Sequence, residues 1–145
     1  LESDIAELYF LLGEKEQAKI HAEKSFAYFK ESDSGTEEDY LNYKEYRPAR
    51  LATIGWNYIA LGETEKGLQM FQDMSACRKC RQCRHKACFE APWYEGLYYE
   101  AIGEYEKAKE CYERGLKIKP HSLALRFALR GIEQLIDTKK KIIGI

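Results

Sequence analysis

The amino-acid sequence repeats one short turn motif three times, and this self-similarity constrains the fold more than any other feature. Each copy has a bulky apolar residue followed by Gly-Glu, and then a mostly polar stretch that ends in a small residue. Glycine ends a helix in a left-handed backbone conformation without steric cost, and the polar stretch favours a second helix. Each copy therefore predicts two helices joined by a tight turn. The three copies are Leu12 to Ala18, Leu61 to Gly67 and Ile102 to Ala108.

Residues around each turn recur in one register. A small residue precedes each turn glycine by seven positions, a tyrosine precedes it by four, and a second small residue follows it by five. Small residues at such spacing are predicted to lie where the paired helices approach closely. The three sets are Ala6, Gly55 and Gly96; Tyr9, Tyr58 and Tyr99; and Ala18, Gly67 and Ala108.

This pattern resembles the tetratricopeptide repeat family, whose helix-turn-helix unit has about 34 residues and the signature W-x2-L-G-x2-Y, A-x3-F and P. The resemblance covers most of the chain and implies an all-α fold, an α-solenoid of antiparallel helix pairs with a concave groove and a capping helix. It predicts a single domain over residues 1–138, followed by a tail over 139–145. The predicted parts are repeat one (1–30), an insertion (31–47), repeat two (48–76), a Cys-rich insertion (77–88), repeat three (89–121) and the capping helix (122–138).

The first insertion is polar and contains three tyrosines at a spacing of three. It predicts a loop, followed by a short helix or by an N-terminal extension of the helix that ends near Leu61. An aromatic stripe at helical spacing is usually packed against a neighbouring helix, so packing is favoured over ligand stacking. The tyrosines are Tyr40, Tyr43 and Tyr46.

Composition limits the class of protein. The chain has 145 residues, a net charge of −1, 45% hydrophobic residues and 32% charged residues, which excludes a disordered chain and a globally basic nucleic-acid binder. No stretch approaches the roughly 18 apolar residues of a membrane span, and no signal peptide is evident. We expect a cytoplasmic protein, and the start at Leu1 predicts a piece of a longer chain.

Four of the five cysteines lie close together in the second insertion, as Cys77-x2-Cys80-x2-Cys83-x4-Cys88. Five Lys or Arg residues lie among them, and neighbouring cations favour the thiolate form that a metal ion requires. The pattern predicts a structural zinc site with these four ligands, and His85 as a substitute. Two alternatives stay open, an iron–sulfur cluster and no metal at all. Contact with phosphate or nucleic acid is not expected, because the overall charge is −1 and the cluster of basic residues is confined to this one segment.

The family resemblance implies an interaction module that binds a protein or peptide segment in the groove, or another domain of its parent chain. The residues predicted to contact such a partner are Trp56, Trp93, Leu97 and Thr53, with the two tryptophans as large apolar anchors. The alternative is that both tryptophans belong to the core. The Lys and Asn clamp that some family members use for a C-terminal carboxylate is not matched. The cysteine cluster supports a second hypothesis, a metal- or redox-responsive regulatory module.

Catalysis is not predicted, because the sequence lacks the nucleophile-elbow, dinucleotide-binding, P-loop and zinc-protease motifs. Cys111 lies beside a predicted packing tyrosine and is interpreted as a buried hydrophobic residue. His21 and His121 are interpreted as structural, since neither has a catalytic partner in the sequence pattern. The favoured function is therefore a scaffold for protein binding.

Overall fold

The computed structural model describes residues 2–33, 48–74 and 88–144. Within these ranges the regular elements are all helices, which confirms the all-α, tetratricopeptide-like prediction. They are α1 (Glu2–Leu11), α2 (Lys15–Asp33), α3 (Pro48–Ala60), α4 (Thr64–Met74), α5 (Glu90–Ala101), α6 (Tyr105–Ile118) and α7 (Leu123–Ile142). No described helix is both long enough and apolar enough to cross a membrane.

The chain divides into two compact units, Leu1–Arg84 and His85–Ile145, and each is described by itself below. The predicted single domain, with its repeat boundaries, stays a prediction. The first insertion and its three tyrosines lie outside the described residues, except for Glu31 to Asp33, which form the last turn of α2.

The three predicted turns share one backbone geometry. Gly13, Gly62 and Gly103 have φ angles of 82°, 87° and 82°, which places all three in the left-handed region. After each glycine, the N–H of glutamate donates to the carbonyl of the tyrosine five residues earlier, at 2.8, 2.8 and 2.9 Å. These bonds, with a second from each glycine N–H, form the Schellman arrangement that ends a helix. The repeated motif therefore produces the helix-turn-helix pairs.

In the first unit, α1 packs against α2, and α3 packs against α4, α1 and α2. The contact between α3 and α4 depends on two glycines, since a Cβ added to Gly67 would lie 2.5 Å from the carbonyl oxygen of Gly55. The α2–α3 contact also contains a buried polar pair, in which Asn57 Nδ2 donates to Ser25 Oγ at 2.8 Å. Small residues and one buried hydrogen bond between side chains thus allow these helices to pack closely.

In the second unit, α6 packs against both α5 and α7. A Cβ on Gly96 would overlap the buried ring of Tyr112, and one on Gly115 would lie 2.8 Å from Leu125 Cδ1 of α7. The glycines predicted to be close-contact positions in α3 and α5 are confirmed as such. The core of this unit is formed by Ala108, Tyr112, Leu125, Ile132 and Ile136.

The capping helix begins as predicted but ends later. Ser122 is its N-cap, and the Ser122 side chain accepts a hydrogen bond from the backbone N–H of Leu125 at 3.3 Å. The helix continues to Ile142, four residues beyond the predicted boundary at residue 138. Lysines fill this last turn, where their charge interacts favourably with the helix dipole, and Gly144 follows with a φ of 76°.

Candidate functional site

Trp56 lies in the core of the first unit. Only 1% of its surface is exposed, and its ring centre is 5.9 Å from that of Phe10 in α1 and 5.4 Å from that of Phe71 in α4. The side chain presents no surface to a partner. This agrees with the alternative, left open by the sequence, that the tryptophan belongs to the core. The prediction of Trp56 as an anchor is corrected, because aromatic residues from two neighbouring helices enclose it.

Trp93 and Leu97 are half-buried and lie one turn apart on α5, on the same face of the helix. Trp93 packs against the core of the second unit and lies 5.3 Å from the ring of Tyr94. Thr53 is half-buried on α3 in the first unit. The roles of these three residues in partner binding stay predictions.

The first helices of the pairs carry an excess of acidic residues. In α1, α3 and α5 there are six acidic residues and one basic residue, whereas α2 has four of each. A net charge near zero for the whole chain concealed this local imbalance, which a count by helix would have revealed. The six acidic residues are Glu2, Asp4, Glu7, Glu90, Glu95 and Glu100, and the basic residue is Arg50.

Glu7 is the acidic residue most affected by its surroundings. It is half-buried on α1, and loss of water, with a smaller contribution from the charge of Asp4, raises its pKa from 4.5 to about 7. Both effects disfavour the carboxylate. At neutral pH Glu7 is therefore present in comparable amounts as the acid and as the carboxylate.

The raised pKa makes stability depend on pH. Between the unfolded pKa of 4.5 and the folded pKa of about 7, the folded chain holds the Glu7 proton more tightly, so its stability falls as the pH rises through this range. Glu7→Gln removes this titration. We expect equal stabilities near pH 4, below the unfolded pKa, and a variant more stable by ~1–2 kcal/mol near pH 8, after allowance for solvent screening.

Urea unfolding of both chains at the two pH values measures this difference. The control is Glu110→Gln, which removes an exposed carboxyl group of α6 and should give no pH-dependent difference from the parent chain. A Glu7→Gln variant whose stability relative to the parent chain is the same at both pH values would contradict the prediction.

Glu95 and Arg114 form an ion pair in the second unit. Arg114 Nη2 lies 3.0 Å from Glu95 Oε2, with the Glu95 side chain 10% exposed and that of Arg114 56% exposed. The same nitrogen lies 3.4 Å from Cys111 Sγ. Burial, with a smaller effect from Glu95, raises the pKa of the Cys111 thiol to about 11. Cys111 is thus a buried, protonated thiol, as predicted.

Glu100 accepts a hydrogen bond from the Tyr112 hydroxyl at 2.7 Å. Burial and this bond hold the pKa of Tyr112 well above its ordinary value. The bond joins α5 to α6 beside the Gly96 contact. Glu95 and Glu100 therefore both have partners on α6, which leaves Glu90 as the other acidic residue on α5.

His21 has a partner that the sequence did not indicate. Its Nδ1 is hydrogen-bonded to Glu2 Oε2, and its ring stacks on that of Tyr9 at 5.4 Å. The bond lowers the pKa of Glu2. Because this group joins α1 to α2, it supports the structural interpretation of His21. His121 is exposed.

Cys88 is the one predicted zinc ligand that the structure describes, and it is half-buried two residues before α5 begins. Cys77, Cys80, Cys83 and the substitute His85 lie outside the described residues. Among the described ranges, no group of three or more His, Cys, Asp or Glu side chains could hold a metal ion. The zinc site thus stays a prediction.

A tetratricopeptide repeat family model matches residues 93–122. The first TPR domain of the human RPAP3 protein is similar in structure, with a TM-score of 0.48 and 19% identity over 97% of this chain and 93% of that one. The first TPR of Spaghetti (RPAP3) bound to HSP90 peptide SRMEEVD has a TM-score of 0.46 and 19% identity over 94% and 90%. No curated protein matches the chain.

The matched segment contains most of α5, the Gly103 turn, α6 and Pro120. The other two helix pairs repeat its left-handed glycine and its hydrogen bonds, and their small residues at the equivalent close-contact positions are buried as well. All three described helix pairs therefore share one turn and one close helix contact. Residues 93–122 thus match a tetratricopeptide repeat, and the two helix pairs of the first unit have the same turn geometry.

Proposed function

We propose that the chain is a non-catalytic protein-interaction scaffold in which the first helices of each unit, taken by itself, bind a partner segment that carries both basic and apolar residues. The observation that carries this proposal is the charge of those helices, with six acidic residues against one basic residue. In each unit, helices with this charge attract cationic segments and repel acidic ones. The partner is a separate protein or another part of the parent chain.

The six acidic residues do not meet a partner's cations equally well, because Glu2, Glu95 and Glu100 already bond within the chain. Glu95 is paired with Arg114, and Glu100 accepts the Tyr112 hydroxyl. This favours Glu90 in the second unit and Glu7 in the first. A lysine or arginine placed beside Glu7 would stabilise its carboxylate, so binding there would release a proton near neutral pH.

Trp93 and Leu97 supply the apolar part of the surface. Both are half-buried, so each keeps an exposed portion while its position is fixed by packing. A large aromatic ring held in this way is the usual anchor of an interface, because little conformational entropy is lost on binding. Trp56 is not included, since the core encloses it.

Synthetic peptides test the proposal. A labelled peptide that alternates Lys or Arg with Leu or Trp is titrated by fluorescence anisotropy against its charge-reversed form and against SRMEEVD. We expect a Kd on the order of 10–100 µM for the basic peptide alone, with binding weakened by added salt. Equal or tighter binding of either acidic peptide would overturn the proposal.

Variants identify the surface that the basic peptide uses. Trp93→Ala and Glu90→Lys should each raise the Kd about 10-fold, a change of about 1.4 kcal/mol. The matched control is Glu110→Lys, which makes the same charge change at an exposed position on the second helix of the same pair. Equal effects of Glu90→Lys and Glu110→Lys would mean that net charge alone drives binding.

The clustered cysteines favour a second function, a metal-dependent regulatory segment. We propose that one zinc ion is bound by Cys77, Cys80, Cys83 and Cys88, with His85 as a substitute ligand. The spacing of the cysteines and the Lys and Arg residues between them support this proposal. Because the helix pairs have their own cores, removal of the ion should leave the helices folded.

Elemental analysis and thiol titration test the metal site. We expect about one zinc per chain, and about four newly reactive thiols after chelation with little change in far-ultraviolet circular dichroism. Cys80→Ser should lose the metal, whereas Cys111→Ser should keep it, because Cys111 is buried beside Arg114. Metal-free protein with these thiols reactive from the start would exclude the site, and bound iron with sulfide would support a cluster instead.

A further inference from the structure

The first two turns of α5 carry one acidic and two aromatic side chains on the same side of the helix. Glu90 precedes Trp93 by three residues and Tyr94 by four, so both aromatic residues are its neighbours along the helix surface. Long side chains in a helix point toward its N-terminus, so the two rings lie over the turn that contains Glu90. All three residues are half-buried. A carboxylate and an aromatic surface therefore lie side by side in the second unit.

The two rings contact each other. The centre of the Trp93 ring is 5.3 Å from that of Tyr94, and the ring planes are tilted by 39°. A cation between two ring faces needs each ring at a contact distance of roughly 3.5–4.0 Å, and thus ring centres about 7 Å apart. Trp93 also packs against the core of the unit, which fixes its position. The pair therefore offers one continuous surface to a ligand, which suits a planar group, and does not enclose a spherical one.

Glu90 gives this surface a negative charge. Among the residues that the structure describes, Glu90 forms no ion pair, whereas Glu95 and Glu100 are bonded to residues of α6. Its full negative charge exceeds the positive charge of about one half at the N-terminus of α5, so the site attracts a cation. A cation already lies on a nearby ring, since Lys119 Nζ is 4.3 Å from the ring centre of Phe89. The rings at this end of the unit are thus able to hold cations.

We propose that one arginine side chain of the partner segment is bound by Glu90, Trp93 and Tyr94, a proposal that rests on the basic and apolar partner of the proposed function. The guanidinium stacks on the rings, and its N–H groups donate to the Glu90 carboxylate. Guanidinium suits both contacts, because it is planar and weakly hydrated and carries its N–H groups at its edge. A lysine ammonium has the same charge but is compact and strongly hydrated, so it gains less from a flat aromatic surface. The site therefore selects arginine over lysine.

Two labelled peptides of equal charge test this selectivity. One alternates Arg with Leu, and the other alternates Lys with Leu. Fluorescence anisotropy with the whole chain gives both Kd values, and we expect the Arg peptide to bind about 5-fold more tightly. Equal Kd values, or tighter binding of the Lys peptide, would overturn the arginine site and leave the proposed scaffold in place. Binding of neither peptide would overturn both.

Variants of α5 locate the selectivity. Trp93→Leu and Tyr94→Leu keep an apolar side chain but remove a ring, and each should reduce the ratio of the Lys Kd to the Arg Kd from about 5 to below ~2. Glu90→Gln should do the same, because a hydrogen bond to a neutral amide is weaker than one to a carboxylate. The ratio compares two peptides on one protein, so a partial loss of folded protein leaves it unchanged.

Tyr28→Leu and Glu110→Gln are the matched controls. They make the same kinds of change at exposed positions on α2 and α6, and both should keep the ratio near 5. Circular dichroism checks that every variant folds. A ratio that Glu90→Gln leaves unchanged, or that both ring variants leave unchanged, would show that arginine is selected elsewhere on the chain and would overturn the site.

Discussion

Replacing Trp56 with alanine is expected to lower the free energy of unfolding of the first unit by about 3–5 kcal/mol. The side chain is 1% exposed and lies against Phe10 and Phe71, so truncation removes apolar contacts to α1 and α4 and leaves a large cavity. Buried tyrosine and methionine side chains nearby on α3 and α4 are fixed by their own packing, which limits collapse of the cavity. Urea unfolding followed by circular dichroism measures the change.

Tyr28→Ala is the matched control in the same unit. It also removes an aromatic ring from a helix, but Tyr28 is 67% exposed, so the expected change is below ~0.5 kcal/mol. A Trp56→Ala variant as stable as Tyr28→Ala would mean that Trp56 is not a core residue. The anchor interpretation would then apply to Trp56 again.

The repeat and its turns could be predicted because their causes are local. A glycine with positive φ, followed by a helix start, specifies the turn whatever packs around it, and Gly13, Gly62 and Gly103 all adopt that conformation. The small residues that flank the turns could be predicted for the same reason. Their register follows from the turn, and the geometry of two antiparallel helices places them in contact.

The burial of a side chain at a given position of the repeat could not be predicted, because it depends on contacts with helices that are far away in the sequence. Glu7, Trp56 and Leu97 occupy the same position relative to their turn glycines. Trp56 is enclosed by a ring from α1 and another from α4, whereas Glu7 and Leu97 are half-buried. One register position thus serves as core in one repeat and as surface in another, which is why sequence alone left both roles open for Trp56.

The acidic residues of the first helices add a charge requirement to the proposed partner. Sequence reasoning from the anchors alone predicted an apolar or aromatic segment. The structure assigns Glu95 and Glu100 to bonds within the second unit and leaves Glu90 beside the surface that holds Trp93 and Leu97. Charge would therefore select among apolar segments that fit equally well, since like charges across an interface are strongly unfavourable.

Gly96→Leu should destabilise the second unit by about 1–3 kcal/mol or prevent its folding, because even a Cβ at this position overlaps the Tyr112 ring. That ring is fully buried and its hydroxyl is bonded to Glu100, so it cannot move aside without losing the bond between α5 and α6. Gly131→Ala is the control, because a Cβ at this position meets nothing within 4 Å and alanine favours a helix. At low protein concentration this variant should be as stable as the parent chain, or more stable by up to ~1 kcal/mol. Thermal unfolding of both variants compares them directly, and an unchanged midpoint for Gly96→Leu would show that α5 and α6 do not pack in this register.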